Sequence, residues 1–350
     1  MGLNSLKWRA GEEQKGLGLI EAVSAFLKIP TDEAGRLIDF GAVLVRGRTE
    51  RNPSMILHGR EEISVSFPPH GIRRFYEIDP SRIIFRDRFL LAYDKEAGIP
   101  SQQVPYDAYN NVFAALRRWL AAEGPDTETG EGDDTEKKGF FSPYPVHHPS
   151  QLVRSAPPLS MTGPQPVPAS KCPLYAAIHH RLDRETSGVL LFALEKKVNG
   201  SLGSAFRQRR VKKEYLAWVE GCPKQDSWTS DADIGQVGGK YTAVRKGEGK
   251  EAQTNFRVLR REEGRTLVLA VPLTGRTHQI RIHLAEAGCP VLGDRSYGAK
   301  PDKRLYLHAW RLTLKHPVYR KPLSFESSSF EFYVFSGPER TRIHQPQTKN

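Results

Sequence analysis

HHRLDRETSGVLLFAL, residues 179–194, is the stretch on which the reading of this chain turns. A charged cluster of turn-forming residues runs straight into GVLLFAL, which has the composition of a buried strand. Asp183 stands between Arg181 and Arg184. Opposite charges at that range keep a carboxylate ionised, and an ionised carboxylate in cationic surroundings can serve as nucleophile, base or electrostatic anchor. On spacing alone the same residues also describe an Asp and a Thr186-Ser187 pair fixing a turn ahead of a strand.

Two further segments carry chemistry of a matching kind. In PLTGRTHQIRIH, residues 272–283, a strand ends, a glycine turn follows, and the spacing predicts a helix from about Thr277. His278 and Arg281 would then share one helix face. A helix start carrying Arg276, His278 and Arg281 suits a phosphate or a carboxylate; a capped surface helix with solvated charges would look the same. In RRVKKEYLAWVEG, residues 209–221, Tyr215 follows a basic cluster. That combination suits backbone contact plus base stacking, or a strand tyrosine facing the core.

Strands outnumber helices across the chain. RIIFRDRFLLAYDK reads as two short strands and NNVFAALRRWLAAEG as an amphipathic helix. GVLLFAL, KKEYLAWVEG, EAQTNFRVLRR, RTLVLAVPL, LYLHAWRLTL and LSFESSSFEFYVF read as strands, and KKVNGSLGSAFRQ and THQIRIHLAEAG as helices. The two kinds do not strictly alternate, which points to α+β with a largely antiparallel sheet and not to a doubly wound nucleotide fold.

Nucleotide and metal signatures fail. GLGLIE at 16–21 lacks the third glycine and follows no strand, and GQVGGKYT at 235–242 is too short for a phosphate loop. His147-His148 and His179-His180 are adjacent pairs, whose side chains point to opposite faces of a strand, and no Cys or acidic partners stand at ligand spacing. The expectation is no cofactor and no metal. Three cysteines in 350 residues exclude a disulfide framework.

The charge points to the partner. The chain carries a net +12, but residues 122–139 alone carry −5, leaving +17 on the rest. Such an excess favours a polyanion, above all nucleic acid. No apolar run approaches the ~18 residues of a membrane span, and the first residues lack a secretion-signal core, so a soluble cytoplasmic protein is expected. Residues 122–172, acidic and then rich in Pro and Ser, read as a flexible insertion. Residues 17–67 read as a small unit of two helices followed by short strands, closed by a linker that opens with Pro68-Pro69.

Together these segments resemble the RluA-type pseudouridine synthases. The resemblance rests on HRLDRETSG at 180–188, KKEYLAWVEG at 212–221, GKEAQTNFRVL at 249–259, LTGRTHQIRIHL at 273–284, VLGDRSYG at 291–298 and LHAWRLTLKHP at 307–317, in the family's order. It implies an α+β catalytic domain over 81–335 with a central bifurcated sheet and a cleft between its halves. The enzyme would isomerise specific uridines of RNA to pseudouridine without a cofactor. The implied RNA is large-subunit (23S) ribosomal RNA, with tRNA as the alternative substrate and a non-catalytic ribosome-assembly factor as the rival reading.

Within that resemblance Asp183 would be the catalytic carboxylate, attacking ribose C1′ or taking a proton from C2′. Tyr215 would pack on the uracil ring and assist proton removal from C5. Arg281 would fork onto the Asp183 carboxylate. Arg181 would hold the space left by the flipped base, Arg276 would hold backbone or RNA phosphate, His278 would help bind substrate, and Leu307 would join the apolar lining. Lys95-Glu96-Ala97-Gly98 stands where the family has Lys-Pro-Ala-Gly, a change that would loosen a turn without touching a catalytic residue. Residues 15–68 resemble the alpha-L RNA-binding module, followed by a linker over 69–80; residues 336–350 would be a tail, and a monomer is favoured.

Overall fold

The structure, a computed structural model, describes residues 5–68, 71–123 and 175–327. The N-terminal unit packs helices α1 (Leu19–Leu27) and α2 (Thr31–Phe40) on a sheet of β1 (Ser5–Arg9), β2 (Val43–Val45), β3 (Arg48–Thr49) and β4 (Glu62–Ser66), in the order β1-β4-β2-β3. Leu19, Val23, Leu37 and Ile38 from the helices meet Val43, Ile63 and Val65 from the strands in one buried core. Strand β1 lies ahead of the module as read from sequence. It pairs along β4, and its Trp8 stacks on Phe26 with ring centroids 4.0 Å apart.

Glu61 organises the turn into β4. Its side chain is fully buried, takes the backbone N–H groups of His58 and Arg60 at 3.1 Å, and pairs with Arg46 at 3.0 Å. Burial alone would raise its pKa, but these donors hold the carboxyl below its ordinary value.

The rest of the chain contributes β5 (Ile83–Arg86), β6 (Leu90–Lys95), α3 (Val112–Glu123), β7 (Ala177–Ile178), β8 (Ser187–Ala193), α4 (Lys196–Arg207) and β9 (Lys212–Glu220). Then follow β10 (Ser227–Ser230), β11 (Asp233–Val237), β12 (Lys240–Val244), β13 (Thr254–Glu262), β14 (Arg265–Pro272), α5 (Gln279–Glu286), β15 (Leu307–Lys315) and β16 (Pro322–Glu326). Ten strands form one sheet along the path β10-β13-β14-β9-β15-β8-β6-β5, with β16 beside β15 and β7 beside β8. The α+β class with a mainly antiparallel sheet is borne out; the β8–β15 pair is the parallel exception.

The continuous apolar run of β8 has a simple cause: both faces are covered. Leu190 and Phe192 pack toward α3 through Val112, Leu116 and Leu120. The alternate residues Val189 and Leu191 pack with Val198 and Leu202 of α4. Helix α5 covers the other half of the sheet, where Ile280 and Leu284 meet Ala217, Val268 and Ala270.

Several local expectations shift. GQVGGKYT is the turn of the β11–β12 hairpin, with Gly238 and Gly239 both at positive φ. Helix α3 runs to Glu123, so the first two residues of the expected insertion are helical; 124–172, the tail 336–350 and the remainder of LSFESSSFEFYVF from 328 lie outside the described residues. The segment read as linker is in part core. Tyr76 and Ile78 are buried, and the Tyr76 hydroxyl lies 3.1 Å from that of Tyr93. The N-terminal unit also contacts the larger one. The Ala108 N–H donates to the Phe40 carbonyl at 2.7 Å, the Tyr109 hydroxyl bonds Asp39, and the Tyr109 ring packs 5.5 Å from that of Phe40.

Glu61 makes the N-terminal unit pH-sensitive in a defined direction. Its folded pKa lies below its unfolded value, so its stabilisation is complete above the unfolded value and is lost as pH falls through the folded one. Glu61→Gln should destabilise the unit by about 1–3 kcal/mol at neutral pH, the scale of hydrogen bonds to a charged group. The gap between parent and variant in chemical denaturation should close as pH falls below about 4.

Candidate active site

The two halves of the large sheet meet at two residue pairs, His308 with Ser187 and Ala309 with Gly188. Gly188 sits at φ +113°, and a Cβ there would lie 2.2 Å from the Ala309 carbonyl oxygen. Only glycine admits the close approach. The joint opens at one end into a cleft of about 1020 Å³. Asp183, Tyr215, Arg281, Arg181, Arg276, His278 and Leu307 all line it, so the residues singled out in the sequence are brought together.

Asp183 sits in the turn before β8, where the Thr186 N–H donates to its carbonyl at 3.1 Å. The backbone around it is fastened from both sides. The Ser101 hydroxyl donates to the Leu182 carbonyl at 2.8 Å and accepts the Leu182 N–H at 3.0 Å. The buried Lys95 ammonium donates to the carbonyls of Glu96 and Ile99 at 2.7 Å and of Arg184 at 3.1 Å. Gly98 adds its N–H to the Arg184 carbonyl at 2.8 Å. Burial pulls the Lys95 pKa down to about 7, against the attraction of Glu96, Glu185 and Asp183.

The Lys95–Gly98 turn is therefore tied directly to Arg184, the residue after Asp183. Glu96, in the place of the proline, fastens it outward: it accepts the Tyr76 hydroxyl at 2.9 Å and pairs with Arg82 at 2.9 Å.

Arg281 reaches Asp183, but not as a fork. Its Nη1 lies 3.3 Å from Asp183 Oδ2, while Nε and Nη2 donate to the two oxygens of Asp294 at 2.6 and 2.8 Å. The bidentate partner is thus Asp294. The geometry gives the reason: α5 begins at Gln279 and not at Thr277, and Arg281 faces the 291–298 turn as well as Asp183. His278 is the residue before the helix, in left-handed conformation at φ 56°, with Nδ1 2.8 Å from the Tyr297 hydroxyl and Nε2 3.9 Å from Asp183 Oδ2. Burial lowers the His278 pKa, offset by Asp183 and reinforced by Arg281.

Tyr215 pairs in register with Ala270 on one side and Ala309 on the other. Residues opposite each other share a sheet face, so the ring is flanked by methyl groups and has space above it. Burial first, and then the Asp183 charge, push its pKa well up, which keeps the phenol protonated at neutral pH. Leu307, opposite Ala217, is buried in the apolar floor beside Tyr215.

Arg276 donates Nε to the Glu251 carbonyl at 2.8 Å, and its N–H is capped by Gln279 at 3.0 Å. Arg181 is exposed at the rim. Lys213 lines the cleft with its ammonium on the Thr274 carbonyl at 3.1 Å; burial and then Arg209 lower its pKa. His180 accepts the Leu191 N–H at 2.9 Å, and burial pulls its pKa down to about 3, so it is a neutral structural residue.

Among the described residues no group of three His, Cys, Asp or Glu could hold a metal ion, and no helix is long and apolar enough to cross a membrane. His147-His148 and Cys172 lie outside the described residues. Asp294, Tyr297 and Lys95 are site residues that the sequence reading did not single out, although VLGDRSYG and the Lys95 turn were both in view.

The arrangement is a carboxylate with one guanidinium contact, beside a flat aromatic, in a cleft that also holds Arg181, Arg276 and Lys213. Comparison with known proteins identifies the family. Residues 166–286 match the family described as RNA pseudouridylate synthase. An uncharacterised RNA pseudouridine synthase of Zymomonas mobilis is 38% identical over 160 residues, 44% of this chain and 73% of that one. The dual-specificity RNA pseudouridine synthase RluA of Escherichia coli is 38% identical over 156 residues, 42% of this chain and 71% of that one. Ribosomal large subunit pseudouridine synthase C of Haemophilus influenzae is 38% identical over 166 residues, 43% of this chain and half the length of that one. Among solved structures, human RNA pseudouridylate synthase domain containing 4 superposes with a TM-score of 0.50 at 22% identity, covering 73% of this chain and 90% of that one.

The joint at Gly188 generates a direct test of the frame around Asp183. Gly188→Ala must either break the β8–β15 pairing or displace Ala309, so it should cost upwards of about 3 kcal/mol, the range of severe strain and overpacking. Equilibrium denaturation of the purified chain measures this.

Proposed function

Because the chain belongs to the RluA-type RNA pseudouridine synthases, we propose that it isomerises specific uridines to pseudouridine in large-subunit ribosomal RNA, with Asp183 as the catalytic carboxylate. The single observation that carries this reading is the Asp183 carboxylate 3.3 Å from the buried Arg281 guanidinium, in a cleft that also holds Tyr215. The reaction breaks the N1–C1′ glycosidic bond, turns the uracil and joins C5 to C1′, with one proton leaving C5 and one returning to N1. The target uridine must leave its stack to reach such a site.

Asp183 supports attack on C1′ or removal of the C2′ proton, since either uses a carboxylate oxygen facing the cleft as the electron-pair donor. Tyr215, kept neutral, offers its ring face to the detached uracil and holds it against escape. Its raised pKa favours the platform role over that of a base. Leu307 supplies the apolar floor. Arg181 at the rim suits the gap left in the RNA stack, and Arg276 and Lys213 give the cleft wall the positive character that phosphates seek.

The N-terminal unit is read as a second RNA grip of the alpha-L type, acting beside a catalytic unit that works as a monomer in the cytoplasm. Ribosomal RNA is preferred because the Haemophilus relative is named for the large subunit and because the N-terminal unit resembles an RNA-binding module.

The test is pseudouridine formation by the purified chain on large-subunit ribosomal RNA and on tRNA transcripts, read by chemical mapping. Asp183→Asn should abolish formation, by ~10³-fold or more, as loss of a group taking part in bond making requires, while RNA affinity changes less than threefold. Turnover by Asp183→Asn at the parental rate would end the assignment. Modification confined to tRNA would replace the substrate.

A further inference from the structure

The turn 291–298 holds two side chains that reach the groups facing Asp183. Asp294 is almost fully buried and binds Arg281 through both carboxylate oxygens, at 2.6 and 2.8 Å. Tyr297 lies under the same guanidinium, 5.0 Å from ring centroid to Cζ, and shares a hydrogen bond with His278. The turn itself is pinned. The Asp294 N–H donates to Val291 at 2.9 Å, and the Ser296 N–H donates to Asp294 Oδ1 at 3.1 Å. Gly293 has φ +77°, and a Cβ there would fall 1.9 Å from the Arg304 carbonyl oxygen. Asp294 therefore has little freedom to follow Arg281; Arg281 must follow Asp294.

That asymmetry decides how Asp183 is held. A guanidinium and a carboxylate left to themselves form a bidentate fork, the strongest arrangement open to them. Such a fork would occupy both oxygens of Asp183. Here the fork is spent on Asp294, and Asp183 receives one nitrogen, on Oδ2. The 3.9 Å approach of His278 is to that same oxygen. Among the described residues no hydrogen bond or ion pair reaches Asp183 Oδ1.

We propose that Asp294 is a positioning residue for the reaction: by taking the guanidinium fork it limits Arg281 to a single contact with Asp183 and leaves Oδ1 for the substrate. The inference rests on the assignment of Asp183 as the catalytic carboxylate. It adds that the catalytic centre is a triad of two carboxylates sharing one guanidinium, with only the more exposed carboxylate meeting RNA.

Two readouts test it. In the crystal structure of Asp294→Asn, Arg281 is expected to swing and place two nitrogens on Asp183; an unchanged single contact overturns the proposal, whatever reaction the site performs. In kinetics, Asp294→Asn should lower kcat by roughly 10²-fold, the scale of a misplaced reacting group, with KM within threefold of the parent.

Asp294→Glu, which keeps the charge pair and shifts the fork by one methylene, should fold as the parent does and lose kcat in the same way. The double variant Asp294→Asn/Arg281→Lys should be no slower than Arg281→Lys alone, because Asp294 acts through Arg281. Parental kcat in a folded Asp294 variant, or losses that multiply in the double variant, overturns the proposal. A parent chain that forms no pseudouridine would instead defeat the reading of the reaction, and the crystallographic arm would still decide the role of Asp294.

Discussion

Two residue pairs between β8 and β15 hold the halves of the large sheet together, and the position of every group in the cleft depends on them. The Gly188–Ala309 approach is closer than any side chain permits. It sets Asp183, at the head of β8, against α5 and β9 from the other half. A wider joint would accept Ala or Ser at 188 but would carry Asp183 away from Arg281 and Tyr215. The parallel pairing is short for the same reason. Beyond Ala309, β15 turns its edge to β16, and the cleft opens at the other end of the joint, where Asp183 precedes β8 and Leu307 begins β15.

Electrostatics fill that frame. Arg281 is largely removed from water, and a lone buried guanidinium would be heavily penalised. Two carboxylates offset that penalty. One of them, Asp294, is buried and inert; the other, Asp183, is more than a quarter exposed and faces the cleft. Lys95 and Ser101 do the complementary work on the backbone, fixing the residues on either side of Asp183 through carbonyls and one N–H. The same 100–111 segment carries Ala108, which bonds Phe40 of the N-terminal unit. The anchoring of Asp183 and the seating of the N-terminal unit thus share one stretch of chain.

The sequence made part of this legible. GVLLFAL announced a buried strand, and the absence of strict strand–helix alternation pointed correctly to α+β. Charge, aromatic and turn residues drew attention to Asp183, Tyr215 and Arg281 but left structural alternatives open, and the family resemblance supplied their roles. What stayed hidden was pairwise geometry. Nothing in THQIRIHL says that His278 adopts a left-handed conformation or that the helix starts two residues later, at Gln279, so the direction of the Arg281 fork could not be read. Asp294 looked like one more turn aspartate, since its partner is 13 residues away across a helix. The β11–β12 hairpin was overlooked because its Gly238-Gly239 turn was weighed only as a phosphate loop. Lys95 was noted only as the first residue of a turn, and the three carbonyls around it come together only in the fold.

The most direct test of the account is a map of pseudouridines in total RNA from a strain lacking the gene, complemented either with the parent chain or with Asp183→Asn. The account predicts that at least one site in large-subunit ribosomal RNA disappears in the deletion, returns with the parent and stays absent with Asp183→Asn. A map unchanged by the deletion, or a lost site restored by Asp183→Asn, would contradict it.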